Sequence, residues 1–252
     1  MPAPSSPWPL PYWVAHRGAG KRAPENTLAA FREGLRLGWR AFECDVKLSA
    51  DGVLFLLHDT ELERTTSGRG IAGRLDWATL ATLDAGRWHG PSFAGEPIPT
   101  LDAIAAFCLD HDCAIDLEIK PTPGVESETG AAVAQAARRL WQGRPGPVLS
   151  SFSTAALAAA QQAAPELPRM LLIDQWRDGW LDEAQALQCA AVMCNFRLLD
   201  ADAIGRIHGA GMRALAYTVN DGAIAERLRT QGLDGLCTDA VDRFDPSTGA
   251  YR

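Results

Sequence analysis

The sequence predicts an α/β barrel, a (β/α)8 TIM barrel with a small insertion after the second strand. Short apolar runs of strand length alternate with longer stretches of helical period throughout the chain. Eight such runs fit within 252 residues, a length at which (β/α)8 barrels close as one domain. No Gly-x-Gly-x-x-Gly turn follows the first run, which disfavours an open doubly wound sheet. One domain over residues 1–252 is therefore expected, with the insertion at about 61–100.

The chain starts with a Pro-rich lead-in, MPAPSSPWPLPYW, whose prolines prevent regular helix. It has neither the basic region nor the continuous apolar region of an export signal, so a cytoplasmic location is expected. The strand runs are residues 12–16, 41–46, 113–120, 148–152, 170–173, 190–194, 214–219 and 235–238. Helical stretches at 27–38, 127–141, 154–162, 200–211 and 221–232 lie between them. Several open on Asn, Ser, Thr or Asp and close on Gly, as helix termini prefer.

Two regions break this rhythm. After the second strand, SADG and VLFLLHD read as a hairpin turning at Asp51-Gly52. The Gly-, Thr- and Arg-rich stretch that follows is longer than an ordinary strand-to-helix loop. It is expected to form a lid or substrate wall at the C-terminal rim of the barrel.

Composition narrows the function. A formal charge of −7 repels nucleic acid, and no apolar run is long enough to span a bilayer. Neither a nucleic-acid partner nor stable membrane association is expected, and the sequence carries no signal for oligomeric state. Cys44, Cys108, Cys113, Cys189, Cys194 and Cys237 sit mostly in apolar or helical stretches, as reduced thiols do. His111 lies between Cys108 and Cys113, at a spacing that matches no common zinc site.

Chemistry gathers at the C-terminal ends of the first three barrel strands, where barrel enzymes place their catalytic groups. His16 and Arg17 end the first. Glu43 and Asp45 lie two apart on the second, and Glu118 and Lys120 repeat that spacing beside the third. Simple ion pairing, Glu118 with Lys120 or Glu43 with Arg17, is the bland explanation, but it does not require so many charged groups together. The hairpin adds His58. A two-residue loop places His58 opposite Asp45, and a four-residue loop places it opposite Glu43. A three-residue loop puts it beside Cys44 and turns it away, leaving a loop histidine paired with Asp59. Three carboxylates suit a hard divalent cation, Mg²⁺ or Ca²⁺, which together with Arg17 and Lys120 would make a phosphate site in an acidic protein. Two histidines across that site suit acid–base work.

The segments AHRGAGKRAPENTLAAF, FECDVKLSADGVLFLLHD, LEIKP, YTVN and DGLCTDAVD together resemble the glycerophosphodiester phosphodiesterase family, from about residue 13 to 242. The resemblance implies a (β/α)8 barrel that hydrolyses small-molecule glycerophosphodiesters to sn-glycerol 3-phosphate and an alcohol. It implies His16 and His58 as the acid–base pair, His16 taken as base and the reverse being chemically symmetrical. Glu43, Asp45 and Glu118 become metal ligands, and Arg17 and Lys120 bind phosphate. Tyr217 stands where the family commonly has Trp and is expected either in the core or against substrate. Glu25, after Pro24, is expected to cap a helix or bridge to the hairpin. His111 and His208 read as structural, while His89, in the insertion, could reach substrate. Trp77, Trp88 and Phe93 are expected to pack the insertion onto itself. The competing readings are a phospholipase D- or C-like lipid phosphodiesterase and a catalytically silent phosphodiester-binding protein.

Overall fold

A computed structural model of the chain describes residues 8–248, 250 and 251, so most of the Pro-rich lead-in lies outside the described residues. Strand β1 (Trp13–Ala15) pairs in parallel with β2 (Ala41–Leu48), and β3 (Leu54–Leu56) folds back antiparallel on β2. From β2 the parallel sheet continues through β4 (Ala114–Ile119), β5 (Val148–Ser151), β6 (Arg169–Ile173), β7 (Ala191–Asn195), β8 (Arg213–Tyr217) and β9 (Gly235–Thr238). β9 returns to pair with β1, closing the predicted eight-stranded barrel.

All five expected helices form: α1 (Leu28–Arg36), α4 (Glu126–Leu140), α5 (Thr154–Ala163), α7 (Ala201–Gly209) and α8 (Gly222–Thr230). The short α2 (Trp77–Leu80) lies in the insertion, and α3 (Leu101–Asp110) and α6 (Trp180–Ala186) complete the outer ring. Thr27, Thr100, Ser153, Asp200 and Asp221 each accept a hydrogen bond from a first-turn backbone N–H, satisfying donors that the helix itself leaves unpaired.

Strand alternation sorts the core into two layers. Val14, Ala41, Met170, Leu172, Met193 and Leu215 fill the barrel interior, while Phe42, Cys44, Val46 and Leu117 face outward beneath the helices. Because Ala41 points inward, so do Glu43, Asp45 and Lys47. The six cysteines are free and buried, as expected. His111 stacks on Phe107 and bonds its carbonyl, at 2.8 Å, and His208 pairs with Asp234 at 2.8 Å, so both are structural.

The hairpin differs from the two registers that deliver His58 by strand pairing. Val46 opposes Leu56 and Leu48 opposes Leu54, and the Ser49 N–H donates to Val53 O, leaving the three-residue loop 50–52. Gly52 (φ +85°) is the one loop residue with positive φ, whereas a two-residue type I′ turn needs two. Continued pairing would set His58 beside outward-facing Cys44. Instead β3 ends at Leu56, the Leu57 N–H makes a last bond to Asp45 O at 3.1 Å, and the chain then bends. His58 reaches the interior by leaving the strand.

The insertion holds its own small core, where Leu62, Ala72, Leu80, Ala85 and Ile98 pack with Phe55 and Leu57. Of its aromatics, Trp77 packs there as expected. Phe93 turns instead to the main core, and Trp88 stays 41% exposed, its indole donating to Ala85 O.

Two helical glycines should respond oppositely to alanine. In α7, Gly205 faces open space, so Gly205→Ala is expected to stabilise by about 0.5–1 kcal/mol through helix propensity and lost unfolded-state freedom. In α4, a Cβ on Gly130 would lie 2.2 Å from Ala156 O of α5, so Gly130→Ala is expected to destabilise by about 1–3 kcal/mol. Urea unfolding of the two variants measures both signs.

Candidate active site

At the C-terminal ends of the strands lies a cavity of about 140 Å³. Its lining includes His16, Arg17, Glu43, His58, Asp116, Glu118, Lys120, Phe152 and Tyr217. Parallel pairing puts Glu43 beside Asp116 and Asp45 beside Glu118 on the interior face. One carboxylate oxygen from each of Glu43, Asp45 and Glu118 falls within 4.8 Å of the others, and all three residues are buried. Asp45 lies beneath the lining but belongs to this cluster. The eight residues singled out from the sequence therefore converge on one place.

Burial and mutual repulsion divide these acids. Burial, reinforced by Asp45 and Glu118, drives the Glu43 carboxyl well above its ordinary range. Glu118 is pushed up to about 7, first by burial and then by Asp45, against the pull of Lys120. Burial also raises Asp45, but Arg17, Lys120 and His58 outweigh it and hold this carboxyl below the usual carboxylate range. Glu43 Oε1 and Asp45 Oδ1 have no hydrogen-bond partner in the protein. A buried carboxylate oxygen without a partner, close to an Asp45 oxygen that only an ion pair with Lys120 at 3.4 Å offsets, is unfavourable unless a further cation neutralises it, so the donor set fits a divalent ion.

The surrounding loops hold the rest. Arg17 takes the left-handed conformation (φ 51°), its N–H donating to Glu43 Oε2 at 3.0 Å and its Nη1 to Glu25 Oε1 at 2.8 Å. Its Nε is 3.2 Å from Asp45 Oδ2. Lys120 pairs with Glu118, lies 3.4 Å from Asp45 Oδ1 and sits over the Phe152 ring. Of the ion pairs of the bland reading, Glu118–Lys120 exists, inside a larger cluster, whereas Arg17 meets Glu43 only through its backbone N–H and turns its guanidinium to Glu25 and Asp45.

Each histidine is oriented by a carboxylate. His16 Nδ1 is 2.6 Å from Asp239 Oδ1, and His58 Nδ1 is 2.7 Å from Asp59 Oδ1. A carboxylate can only accept, so each Nδ1 carries hydrogen and each Nε2 is left available. His16 Nε2 is 3.8 Å from Glu43 Oε2. Burial lowers the His58 pKa, with Arg17 and Lys120 adding to the effect while Asp45 and Asp59 oppose it. The Tyr217 hydroxyl is 3.2 Å from Asp174 Oδ1, and its ring meets Phe152 edge-on at the cavity wall.

The expectation of a lid or wall is corrected. Among the described residues, none in 61–100 lines the cavity, and His89 instead bonds Lys21 O at 3.1 Å. The insertion leans on the loop after β1 and on the first turn of α1, where Glu96 accepts from the Ala29 N–H. Glu25 bridges, as expected, but to Arg64 of the insertion as well as to Arg17.

Residues 16–243 match the model of the glycerophosphoryl diester phosphodiesterase family. The chain belongs to this family. It is 32% identical over 244 residues to the glycerophosphodiester phosphodiesterase of Caldanaerobacter subterraneus subsp. tengcongensis, covering 93% of this chain and 94% of that relative. A phosphodiesterase from Oleispira antarctica, solved in complex with the product sn-glycerol-3-phosphate, is 36% identical with a TM-score of 0.87, over 92% of this chain and 94% of the other. The glycerophosphodiester phosphodiesterase from Agrobacterium tumefaciens is 30% identical with a TM-score of 0.77, over 92% and 98% of the two chains.

Several members of this site carried no expectation from the sequence. Asp116 is buried, and burial pushes it up to about 8; its place two residues before Glu118 was the available signal. Asp239 directly follows the last strand, the position at which barrel enzymes carry functional groups. Asn26 (φ 58°) had no local signal. Its Nδ2 donates to Asp45 Oδ2 at 2.7 Å, and its Oδ1 accepts from the Asp45 N–H at 3.0 Å.

Asn26→Ala would leave the buried Asp45 N–H without a partner, remove one of the two groups that meet Asp45 Oδ2, and place a Cβ residue other than Asn at positive φ. It is expected to destabilise the fold by about 3 kcal/mol. Chemical denaturation checks this, and a loss below about 1 kcal/mol would contradict the clamp on Asp45.

Proposed function

We propose that the protein is a metal-dependent glycerophosphodiester phosphodiesterase that releases sn-glycerol 3-phosphate and an alcohol, with His16 and His58 as its acid–base pair. The convergence of Glu43, Asp45 and Glu118 within 4.8 Å, at a cavity lined by two carboxylate-oriented histidines, carries this reading. The family membership and the product bound to the Oleispira antarctica phosphodiesterase support it.

Glu43, Asp45 and Glu118 would hold one Mg²⁺ or Ca²⁺, since both favour oxygen ligands. When bound, the ion supplies positive charge that offsets the negative charge developing on the phosphate oxygens. Arg17 and Lys120 add fixed cations on the same cavity and bind the phosphate. Asp239 keeps His16 Nδ1 protonated, so Nε2 is free to take the proton of the attacking hydroxyl. His58, held by Asp59, would then give its Nε2 proton to the departing alkoxide. An arriving anionic ester offsets Arg17 and Lys120 and so favours the protonated form of His58 that this step needs. The attacking hydroxyl belongs either to the glycerol itself, giving a cyclic phosphate that water opens, or to water directly; trapping the cyclic ester distinguishes them.

Phe152 and Tyr217 form an apolar wall suited to the carbon face of the glyceryl group. No helix among the described residues is long and apolar enough to cross a membrane. The free, buried cysteines support a reducing, cytoplasmic setting.

The purified protein should release glycerol 3-phosphate from glycerophosphocholine, lose that activity in EDTA and regain it with Mg²⁺ or Ca²⁺. His16→Ala and His58→Ala should each lower kcat by about 100- to 10,000-fold while the fold stays intact by circular dichroism. Near-native turnover by either variant would remove that histidine from the chemistry. Release of headgroup from phosphatidylcholine liposomes, with none from glycerophosphocholine, would point to a lipid phosphodiesterase instead.

A further inference from the structure

One side chain of the insertion reaches both halves of the catalytic apparatus. Arg64 Nη1 and Nη2 each donate to Glu25 at 2.8 Å, and its Nε and Nη2 donate to Asp59 at 2.5 and 3.0 Å. Glu25 is the carboxylate that receives Arg17, and Asp59 is the one that receives His58. We propose that Arg64 is a positioning residue that fixes the phosphate-binding Arg17 and the acid–base His58 together, so that the insertion aligns the active site without covering it. The functional part of this proposal rests on the phosphodiesterase reading of the cavity.

The geometry gives Arg64 no competing task. It does not line the cavity, and four of its N–H bonds are committed to the two carboxylates. Only a guanidinium fork can bond side-on to two carboxylates at once, because an ammonium is a point donor. Its mount is rigid: Leu62 and Thr65 on either side are buried, and the Thr66 N–H bonds Leu62 O at 3.0 Å. Without Arg64, Asp59 keeps only its bond to His58 and is free to change rotamer, which unfixes the imidazole ring. Glu25 likewise keeps only Arg17 and can draw that guanidinium away from the phosphate position. Burial raises the Glu25 carboxyl, but Arg64 and Arg17 outweigh it and keep it ionised, so both halves of the bridge stay charged.

The test is steady-state kinetics of the full-length, metal-loaded protein on glycerophosphocholine, with thermal unfolding alongside. Asp59→Asn is expected to lower kcat with little change in KM, and Glu25→Gln to raise KM with little change in kcat. Arg64→Ala should do both, lowering kcat by about 10- to 100-fold. Combining Arg64→Ala with Asp59→Asn should lower kcat no further than Asp59→Asn alone, since both break one chain of contacts. Arg64→Lys, able to hold one carboxylate, should restore one parameter more than the other, and it serves if the alanine variant does not fold. Kinetics within about twofold of wild type for Arg64→Ala, or losses that simply multiply in the double variant, would overturn the proposal. A second readout needs no turnover: the low-field proton resonance of the His58 Nδ1–H, assigned by its loss in His58→Ala. It should shift or broaden in Arg64→Ala, and an unchanged resonance would overturn the clamp. A wild-type protein with no turnover would remove the phosphodiesterase reading while leaving this resonance to decide on Arg64.

Discussion

Burying Glu43, Asp45 and Glu118 within a few ångströms of one another is the constraint on which the rest of the molecule depends. Like charges so placed repel strongly in a medium of low dielectric. The protein meets this with cations from loops, Arg17 and Lys120, and with the amide of Asn26 on the deepest acid, Asp45. These partners do not satisfy every oxygen, as Glu43 Oε1 demonstrates. The same incompleteness gives the cluster a donor set that could hold a small, hard cation. Strand register creates it, since β2 and β4 lie side by side with Asp45 opposite Glu118.

Strands and loops divide the work. The strands carry acids whose positions are fixed by ladder hydrogen bonds, and the loops carry the cations and histidines that aim into the cavity. Aiming has a conformational cost. Arg17 and Asn26 both sit at positive φ, and Gly20 must be glycine because a Cβ there would lie 2.1 Å from Asp239 O. That contact has a benefit: the tight turn after β1 packs directly against the residue that orients His16. The two His–Asp pairs are alike in chemistry but differ in support. Asp239 is also held by Asn220, whose side chain bonds both its N–H and its carboxylate, whereas Asp59 depends on Arg64 from the insertion. One half of the site is thereby built into the barrel and the other is braced by an appendage.

Legibility in the sequence followed the range of the interaction. Strands were visible because a buried parallel strand is a short apolar run whatever surrounds it, and the acids were visible because Glu43, Asp45 and Glu118 interrupt such runs. The same reasoning would have reached Asp116, which interrupts the AIDLEI run in the same phase as Glu118. His58 shows the opposite case. Pairing arithmetic from Asp51-Gly52 assumed that the strand continues to the histidine, but the turn uses a single positive-φ residue and β3 stops at Leu56. The histidine arrives at the expected cavity by a different route, because the chain bends where pairing ends. The role of the insertion was the least legible, since loop composition shows that a segment is irregular and says nothing of which neighbour it leans on.

By itself, then, the sequence determined the barrel, the inward face of β2 and β4, and the kinds of group gathered at its mouth, because each of these rests on periodicity or on spacings of one or two residues. Only the tertiary structure decided which partner holds each group: Asn26 on Asp45, Asp239 on His16, and Arg64 between Glu25 and Asp59. Those contacts join residues up to 223 positions apart, and their geometry depends on turns and side-chain packing that no local pattern encodes.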